Sequence, residues 1–567
     1  MRKALAGAVG IVAVAAIAAA TATGGSPGFK TAQGPMIDGV AAGVTYERII
    51  SVGDTLGDGY MFESIPDGIS LATNGKGTVD LYVNHETSTV PFPYTFTAAT
   101  GKGSGFNDFT NSLVSKLRLH QKSGGVLSGS YVIQSSENYQ RFCSNFLATE
   151  EHGFDRPLVL TNEEGIDWVN RSGTAWPATI GAPEARQIGT VVAIDEKTGK
   201  TRPIWGMGRH NHENSVAIPG YGKPVVLSGD DAFVSNPAQA QLYSYIAGSS
   251  DALWNDEGDL WAFVADGAAG YYDFPVNGNK NVTGRFVKVP KDVATGRRPN
   301  GTDLMAADKG YPLPPNDGSW QRDPRSGLGI DGPQWVLEHW GDTQPQPVFQ
   351  FVRVEDIAYD KRPGKQHIVY VVDSGRGATS PGGNLFTSTN GRVWKLELDK
   401  SDPTKVTSFS VLIEGDDAPV KAPGEIHQPD NIESTARSLL IQEDPGSSQQ
   451  FPVGSDVPGS ANFDPAATTA RVWQYFIADG TKRVVAKVNQ SADEGPLDED
   501  AAARGALGAW ESSGIVDASH VFGPGSFLLD VQAGTLVIDE EVRTEGANTL
   551  TYQRDGGQLG LLRIPGA

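Results

Sequence analysis

The chain has 567 residues and carries 67 acidic against 46 basic side chains, which gives a formal net charge of −21 at neutral pH. So large a negative excess disfavours a nucleic-acid-binding surface and fits either a solvated exterior or the binding of cations. With 69 glycines and 35 prolines beside abundant β-branched and aromatic residues, the composition favours many short strands joined by turns. The sequence therefore predicts an all-β protein with no nucleic-acid partner.

The first 24 residues have the pattern of an export signal. Arg2 and Lys3 precede an apolar run that ends in small residues. The run is short for a membrane-spanning helix, and no later segment is long and apolar enough to span a bilayer. We expect residues 1–24 to be a signal peptide and the protein to be secreted or to reside in the periplasm or cell envelope. Retention of the leader as an N-terminal anchor is the alternative.

Residues 25–58 are interpreted as an N-terminal extension, and after them one kind of segment recurs. Each copy is an apolar run of strand length that ends in acidic or small polar residues. The copies are "VDLYVNHE" (79–86), "PLVLTNEE" (157–164), "PVVLSGDD" (224–231), "HIVYVVDSG" (367–375), "SLLIQED" (438–444) and "GTLVIDEE" (534–541). Six such strands predict a six-bladed β-propeller over residues 59–567. A set of stacked β-sandwiches is the alternative.

A second class of segment lies between these copies and alternates apolar with polar residues. Its members are "LVSKLRL", "GTVVAID", "QLYSYIA", "RVWKLEL" and "RVWQYFI", several of which lead into hairpin signals. The stretch 296–346 interrupts the pattern and is rich in Pro, Gly and Asp. We interpret it as a long loop insertion over one face of the propeller.

The acids at the strand ends would lie close together if the strands are arranged radially. Inner strands of a propeller converge on a central channel, where carboxylates from different blades repel one another unless cations compensate them. Taken singly, an acidic strand end more often belongs to a solvated turn. The candidate metal ligands are Glu86, Glu164, Glu213, Asp231 and Glu355.

Side-chain alternation refines this set of acids. The doublets at 163–164 and 230–231 cannot direct both members into the channel if both are extended, and we choose the second of each. In "RVE", Arg353 and Glu355 share a strand face, which places a guanidinium for an anionic substrate beside a metal-binding carboxylate. An exposed ion pair would have the same sequence.

Cysteine and histidine offer softer ligands. Cys143 in "QRFCSNF" is the only cysteine, so it forms no internal disulfide. It is either a metal-binding thiolate or a small buried apolar side chain. The histidines at 85, 210, 212 and 427 have no convincing zinc-ligand spacing, and core or surface roles are favoured for them.

The chain resembles the PhoX family of bacterial alkaline phosphatases. The matching motifs come in the family's order and cover most of the chain after residue 60. They are "PDGI" (66–69), "NHE" (84–86), a Cys followed by "TNEE" (161–164), "GMGRHNHEN" (206–214), "SGDD" (228–231), "LYSYI" (242–246), "EGDLWAF" (257–263), "RVEDIAYD" (353–360), "QPDNI" (428–432) and "FGPGSFLLDVQ" (522–532).

The resemblance implies a six-bladed propeller whose channel holds ferric and calcium ions and hydrolyses phosphate monoesters outside the cytoplasm. It implies that Cys143 bridges the iron ions and that Arg353 binds the phosphate. The carboxylate ligands that it implies are Glu86, Glu164, Glu213, Asp231 and Glu355. A thiolate among oxygen ligands also suits a transition metal beside calcium on chemical grounds. The link that follows Cys143 is longer than the family's, which leaves Glu150 and Glu151 as rival ligands.

The predicted function is therefore a monomeric, exported phosphatase that depends on Ca²⁺ and Fe³⁺ and acts on small phosphate monoesters. Two alternatives stay open. Another calcium-dependent propeller hydrolase, phytase-like or lactonase-like, would keep the acids but would not need Cys143. A non-catalytic binding propeller would bind calcium without hydrolysing any phosphoester.

Overall fold

The computed structural model describes residues 27–567 apart from 76, 89–109, 166–167, 171–184, 233–236, 318, 322–328, 376–389, 416–423, 445–468, 491–509 and 546–547. The predicted signal peptide lies outside the described residues. Within them the regular secondary structure is mostly antiparallel strand, accompanied by five short α-helices. None of these helices combines the length and hydrophobicity needed to cross a membrane.

The strands form antiparallel groups that follow one another along the chain. The first group is β3 (Pro66–Thr73), β4 (Thr78–His85), β5 (Leu113–His120) and β6 (Val126–Ile133). The second group is β7 (Phe142–Ala148), β8 (Leu158–Glu163), β11 (Val191–Asp195) and β12 (Thr201–Ile204), with the hairpin β9 (Trp168–Asn170) and β10 (Ala185–Gln187) between its strands. Strand β4 is buried along nearly its whole length, including its polar residues Asp80, Asn84 and His85.

The next two groups are joined into one nine-stranded sheet. The third group is β13 (His212–Ala217), β14 (Val225–Asp230), β15 (Leu242–Ile246), β16 (Asp259–Ala265) and β17 (Asn281–Lys288). The fourth is β18 (Val354–Tyr359), β19 (Ile368–Asp373), β20 (Arg392–Leu398) and β21 (Lys405–Glu414). Strand β17 pairs with β21, which makes the sheet continuous.

The last two groups are completed by strands from the N-terminal part of the chain. The fifth group is β22 (Pro429–Ser434), β23 (Ser438–Glu443), β24 (Arg471–Phe476) and β25 (Lys482–Val488), and the sixth is β26 (Glu511–Asp517), β27 (Ser526–Glu545) and β28 (Asn548–Arg563). Strand β1 (Ile37–Gly39) pairs with β25, and β2 (Thr45–Ser51) pairs with β28. The predicted N-terminal extension therefore ties the two ends of the chain together.

The first strand of each group, here called its inner strand, contacts the inner strands of the neighbouring groups. The contacts run in a closed order from β3 through β7, β13, β18, β22 and β26 back to β3. Separate apolar clusters fill the spaces between adjacent groups. Burial of such side chains stabilises by about 1.5–3 kcal/mol each. The architecture is an all-β, propeller-like ring of small antiparallel sheets.

Two segments differ from the sequence interpretation. The segment 296–346 contains helices as well as loop. The α-helices within the described residues are α1 (Ser250–Trp254), α2 (Lys291–Thr295), α3 (Ala306–Lys309), α4 (Pro333–Asp342) and α5 (Ser519–Phe522). Helix α4 begins with a proline, whose fixed φ suits a first helical position, and buries Val336 and Leu337. The apolar run at 534–541 lies in the outer half of β27, so the strand equivalent to β4 and β8 is the earlier part of β27.

Candidate metal centre and anion site

A cavity of about 310 Å³ lies at the start of the inner strands, and we call it the acidic cavity. Every site residue predicted from the sequence lines it. Its lining comprises Asp67, Glu86, Arg141, Cys143, Glu164, Glu213, Asp231, Arg353, Glu355, Asp430, Asp444, Glu511, Ser513 and Gln532. Side chains from all the groups of strands therefore meet at one end of the ring.

Two positions in each group supply most of these side chains. The second residue of an inner strand contributes Asp67, Cys143, Glu213, Glu355 and Asp430. A β-bulge follows this position in each of those five strands, and bulges redirect side chains near functional sites. The residue directly after the second strand contributes Glu86, Glu164, Asp231 and Asp444.

The two members of each acidic doublet point to different sides of the strand end, as side-chain alternation predicts. Glu163 accepts a hydrogen bond from the backbone N–H of Gln140 at 3.1 Å, and Asp230 accepts one from that of Asn211 at 3.1 Å. The first member of each doublet therefore binds the backbone of the segment that precedes an inner strand. The second members, Glu164 and Asp231, face the acidic cavity.

Cys143 is buried among carboxylates. Its Sγ atom lies 2.8 Å from Asp67 Oδ2 and 3.0 Å from Glu213 Oε1. Burial, and then the charges of Asp67 and Glu213, raise the pKa of the thiol well above its ordinary value. A thiolate at this position therefore needs a nearby cation, and the thiolate is the form that binds metals.

Three triads of candidate ligand atoms run through the acidic cavity, and within each triad the atoms lie within 4.8 Å of one another. The triads are Asp67–Glu86–Cys143, Cys143–Glu164–Glu213 and Glu213–Glu355–Asp430. Neighbouring triads share Cys143 or Glu213, so the donors form one connected cluster. Carboxylate oxygens suit calcium, and a thiolate suits a transition metal, so the donor set fits a mixed metal cluster.

The charge balance also favours bound cations. Among the described lining residues, nine carboxylates face two guanidinium groups. Burial, followed by the charge of Asp67, raises the pKa of Glu86 to about 8. Burial is likewise the largest cause that raises the pKa of each of Asp67, Glu164, Glu213, Glu355, Asp430 and Glu511. The charged forms are disfavoured until positive charge enters the cavity.

Arg353 lies between three of these acids. It donates from Nε and Nη2 to both carboxylate oxygens of Asp231, at 2.8 and 2.7 Å, and from Nη1 to Asp444 Oδ2 at 2.8 Å. Its Nη2 also lies 2.9 Å from Glu355 Oε1, so the two side chains project together as the "RVE" spacing predicts. Paired contacts of this kind fix the plane of a guanidinium group.

Several cavity residues were not singled out from the sequence. Asp67 and Asp430 occupy the same position as Glu213, and each follows a proline at the start of its inner strand. The recurring Pro-Asp pair in "PDGI" and "QPDNI" was the available signal. Asp444 ends the segment "SLLIQED" and Arg141 precedes Cys143 by two residues, as Arg353 precedes Glu355, whereas the position of Glu511 follows no pattern that the sequence displays.

The rival candidates lie elsewhere. Glu150 and Glu151 are exposed in a short 3₁₀ turn outside the acidic cavity. None of the histidines is among the described lining residues. His85 is buried, its Nε2 lies 2.7 Å from Ser115 Oγ, and burial lowers its pKa to about 4, which is consistent with a core role.

A second cavity, of about 420 Å³, lies at the other end of the inner strands. Its one lysine is paired with a carboxylate of the protein, so we call it the paired cavity. Lys361 Nζ lies 2.8 Å from Glu433 Oε1, and His152 Nε2 lies 3.2 Å from the hydroxyl of Tyr359. Asp356 accepts a hydrogen bond from the backbone N–H of Ile432 at 2.9 Å. The buried carboxylates of the larger cavity therefore have hydrogen-bond donors within the protein.

No protein-family model matches the sequence, and no curated protein matches it. Among solved structures, Pseudomonas fluorescens PhoX in complex with vanadate, a transition state analogue, is similar with a TM-score of 0.54 and 16% identity, over 94% of this chain and 98% of that chain. A Dyadobacter fermentans protein of unknown function has a TM-score of 0.39 and 8% identity, over 92% and 100%. An α-L-arabinofuranosidase from Fusarium graminearum has a TM-score of 0.37 and 8% identity, over 91% and 98%. The first of these similarities shows that the chain has a PhoX-like fold.

Proposed function

We propose that this protein is an exported, metal-dependent phosphatase of the PhoX family that hydrolyses small phosphate monoesters. The observation that carries the proposal is the connected set of triads, joined through Cys143 and Glu213, with Arg353 at its edge. The PhoX-like fold supports it, because the similar structure holds vanadate, described as a transition state analogue. On this proposal the protein acts as a monomer outside the cytoplasm.

The proposed fold is a six-bladed propeller. The closed order of inner-strand contacts supports this count. In this view the nine-stranded sheet consists of two blades that are joined where β17 meets β21. Strands β1 and β2 close the ring by adding N-terminal strands to the fifth and sixth groups.

The proposed cofactors are Ca²⁺ and Fe³⁺. The residues that would hold them are Glu86, Cys143, Glu164, Glu213, Asp231 and Glu355, together with Asp67 and Asp430 from the same cavity. When bound, the cations would neutralise phosphoryl oxygens and activate the attacking water. Cys143 would contribute the one soft donor, which distinguishes this site from a calcium-only site.

Arg353 is the proposed substrate-binding and catalytic side chain. Its contacts with Asp231 and Asp444 orient the guanidinium plane before a substrate arrives. Prearranged N–H donors stabilise charge that develops on phosphoryl oxygens without reorganising during the reaction. A cavity of about 310 Å³ admits a phosphoryl group and part of a small ester.

The test combines elemental analysis of the purified protein with a p-nitrophenyl phosphate assay and inhibition by vanadate. We expect calcium and iron in the protein, turnover of the ester, and inhibition by vanadate. Turnover with calcium but no iron would favour a calcium-only propeller hydrolase. Bound metal without any phosphoester hydrolysis would contradict the proposal and favour a binding protein.

A further inference from the structure

The acidic cavity contains a second arginine, Arg141, that the proposed mechanism does not use. Arg141 lies two residues before Cys143, and Arg353 lies two residues before Glu355. Cys143 and Glu355 are the second residues of their inner strands. The two arginines therefore occupy the same position in two different groups of strands, and both line the cavity.

The backbone of Arg141 is fixed at both of its polar groups. Its N–H donates to the carbonyl oxygen of Thr87 at 3.2 Å, and its carbonyl accepts from the N–H of Glu164 at 2.9 Å. Its φ angle of 46° lies in the left-handed region, which non-glycine residues seldom occupy. This conformation carries a conformational cost, which the surrounding contacts offset.

The guanidinium group of Arg141 lies close to Gly165. A Cβ atom at Gly165 would be 1.8 Å from Arg141 Nη2, so only glycine leaves room for the guanidinium there. Arg141 is 6% exposed. Burial raises the pKa values of Glu86 and Glu164, and the positive charge of Arg141 opposes that rise. The charge therefore faces the part of the cavity that these two carboxylates line.

We propose that Arg141 is a second substrate-contacting residue, so that the tetrahedral oxyanion binds between two guanidinium groups, those of Arg141 and Arg353. This inference rests on the proposed function and deepens it. Arginine presents N–H groups in a planar fork that matches phosphate oxygens. Two such forks held on different strands favour a dianionic phosphomonoester over a monoanionic diester, since each supplies a full positive charge to the bound group.

The test measures the affinity of inorganic phosphate and of vanadate by isothermal titration calorimetry on the metal-loaded full chain, with metal content determined on the same samples. The variants are Arg141→Gln, which removes the charge, and Gly165→Ala, which keeps the charge but displaces the guanidinium. Arg202→Gln is the matched control, because Arg202 is exposed and its Nη1 donates to Asn255 Oδ1 at 3.2 Å.

We expect Arg141→Gln to weaken phosphate binding about 10- to 100-fold, because charge-assisted hydrogen bonds to the anion are lost. Gly165→Ala should weaken it in the same direction, and Arg202→Gln should leave it unchanged. If Arg141→Gln does not fold, Arg141→Lys serves instead, with a smaller loss expected because it keeps the charge but not the fork.

Two results would overturn the inference alone. One is unchanged phosphate affinity in the Arg141 variant at full metal content. The other is an affinity that falls only in proportion to lost metal, which would make Arg141 a counter-charge to the carboxylates. If the metal-loaded wild-type protein binds neither phosphate nor vanadate, the proposed function fails as well.

Discussion

The two ends of the inner strands differ in how their charged side chains are compensated. At the paired cavity, Lys361 contacts Glu433 and His152 contacts Tyr359, so these four side chains have partners within the protein. At the acidic cavity, carboxylates crowd around one thiol with two guanidinium groups to offset them. Buried charges without partners are costly, so the acidic end is built for positive charge that comes from outside the chain.

Removal of metal should produce the largest effect and should act only through the acidic cavity. We expect exhaustive chelation to abolish phosphatase activity and to lower the melting temperature by several degrees. A ligand that binds only the native state stabilises by about 2.7 kcal/mol when present at 100 times its Kd. Calorimetry and activity assays before and after calcium and iron are restored would check this. An unchanged melting curve would mean that the carboxylates are compensated without metal.

Substitution of Arg353 should separate binding of the anion from binding of metal. Arg353→Lys keeps the charge but loses the fork that contacts both oxygens of Asp231, so turnover should fall by about 100-fold. Metal content, measured on the same sample, should be retained. The exposed Arg202 gives the matched control, Arg202→Lys, which should keep full activity. Wild-type turnover in Arg353→Lys would remove Arg353 from the proposed mechanism.

The paired cavity should control stability in acid through His152. Burial, and then the charge of Lys361, lower the pKa of His152 to about 4, below its ordinary value of 6.5. Between pH 6.5 and 4, His152 binds a proton in the unfolded chain but stays neutral in the native protein. The contribution of His152 to the free energy of unfolding should therefore fall by about 1.4 kcal/mol per pH unit between pH 6.5 and 4, as the stability present above pH 6.5 is lost. Asp356 in the same cavity, whose pKa burial raises to about 7, acts in the opposite direction, so the comparison with a His152 variant is needed.

Denaturant titrations of the wild type and of His152→Gln across this pH range would isolate that contribution. The variant should show a shallower loss of stability in acid, because a glutamine does not titrate. Parallel stability curves for the two proteins would show that His152 does not carry this part of the acid sensitivity.

Disruption of an ion pair at the paired cavity should have the smallest effect. Lys361→Met leaves Glu433 with the backbone N–H of Asp517, which donates to it at 2.9 Å. The side chain of Lys361 is 31% exposed, and partly exposed ion pairs contribute about 1 kcal/mol or less. We expect a small loss of stability with unchanged metal content and turnover. Altered metal content would show that the two ends of the strands are coupled.

Sequence reasoning located the residues that follow from strand periodicity. Glu86, Glu164 and Asp231 end apolar runs, and alternation selects the second acid of each doublet, as the structure shows. It missed Asp67 and Asp430, because each lies at the start of a strand, after a proline, and ends no apolar run.

Elsewhere the sequence pattern is weaker or lies at a different place from the site residue. At the sixth group the apolar run at 534–541 looks like the earlier repeats, yet Gln532 faces the cavity instead. The run belongs to a strand that continues past the ring as a long hairpin. Helix α4 was not predicted because it has only ten residues, two of which are a proline and a glycine. So short a helix shows too few repeats of its apolar pattern to stand out in a loop-rich segment.

Metal content of Cys143→Ser tests the central claim most directly. Serine replaces a readily deprotonated soft donor by a poor one, while the strands on either side stay the same. Elemental analysis and steady-state kinetics should be run on the wild type, on Cys143→Ser and on Lys361→Met as the control from the opposite cavity. The account predicts that iron and turnover fall together in Cys143→Ser and are retained in the control. Unchanged iron and activity in Cys143→Ser would contradict it.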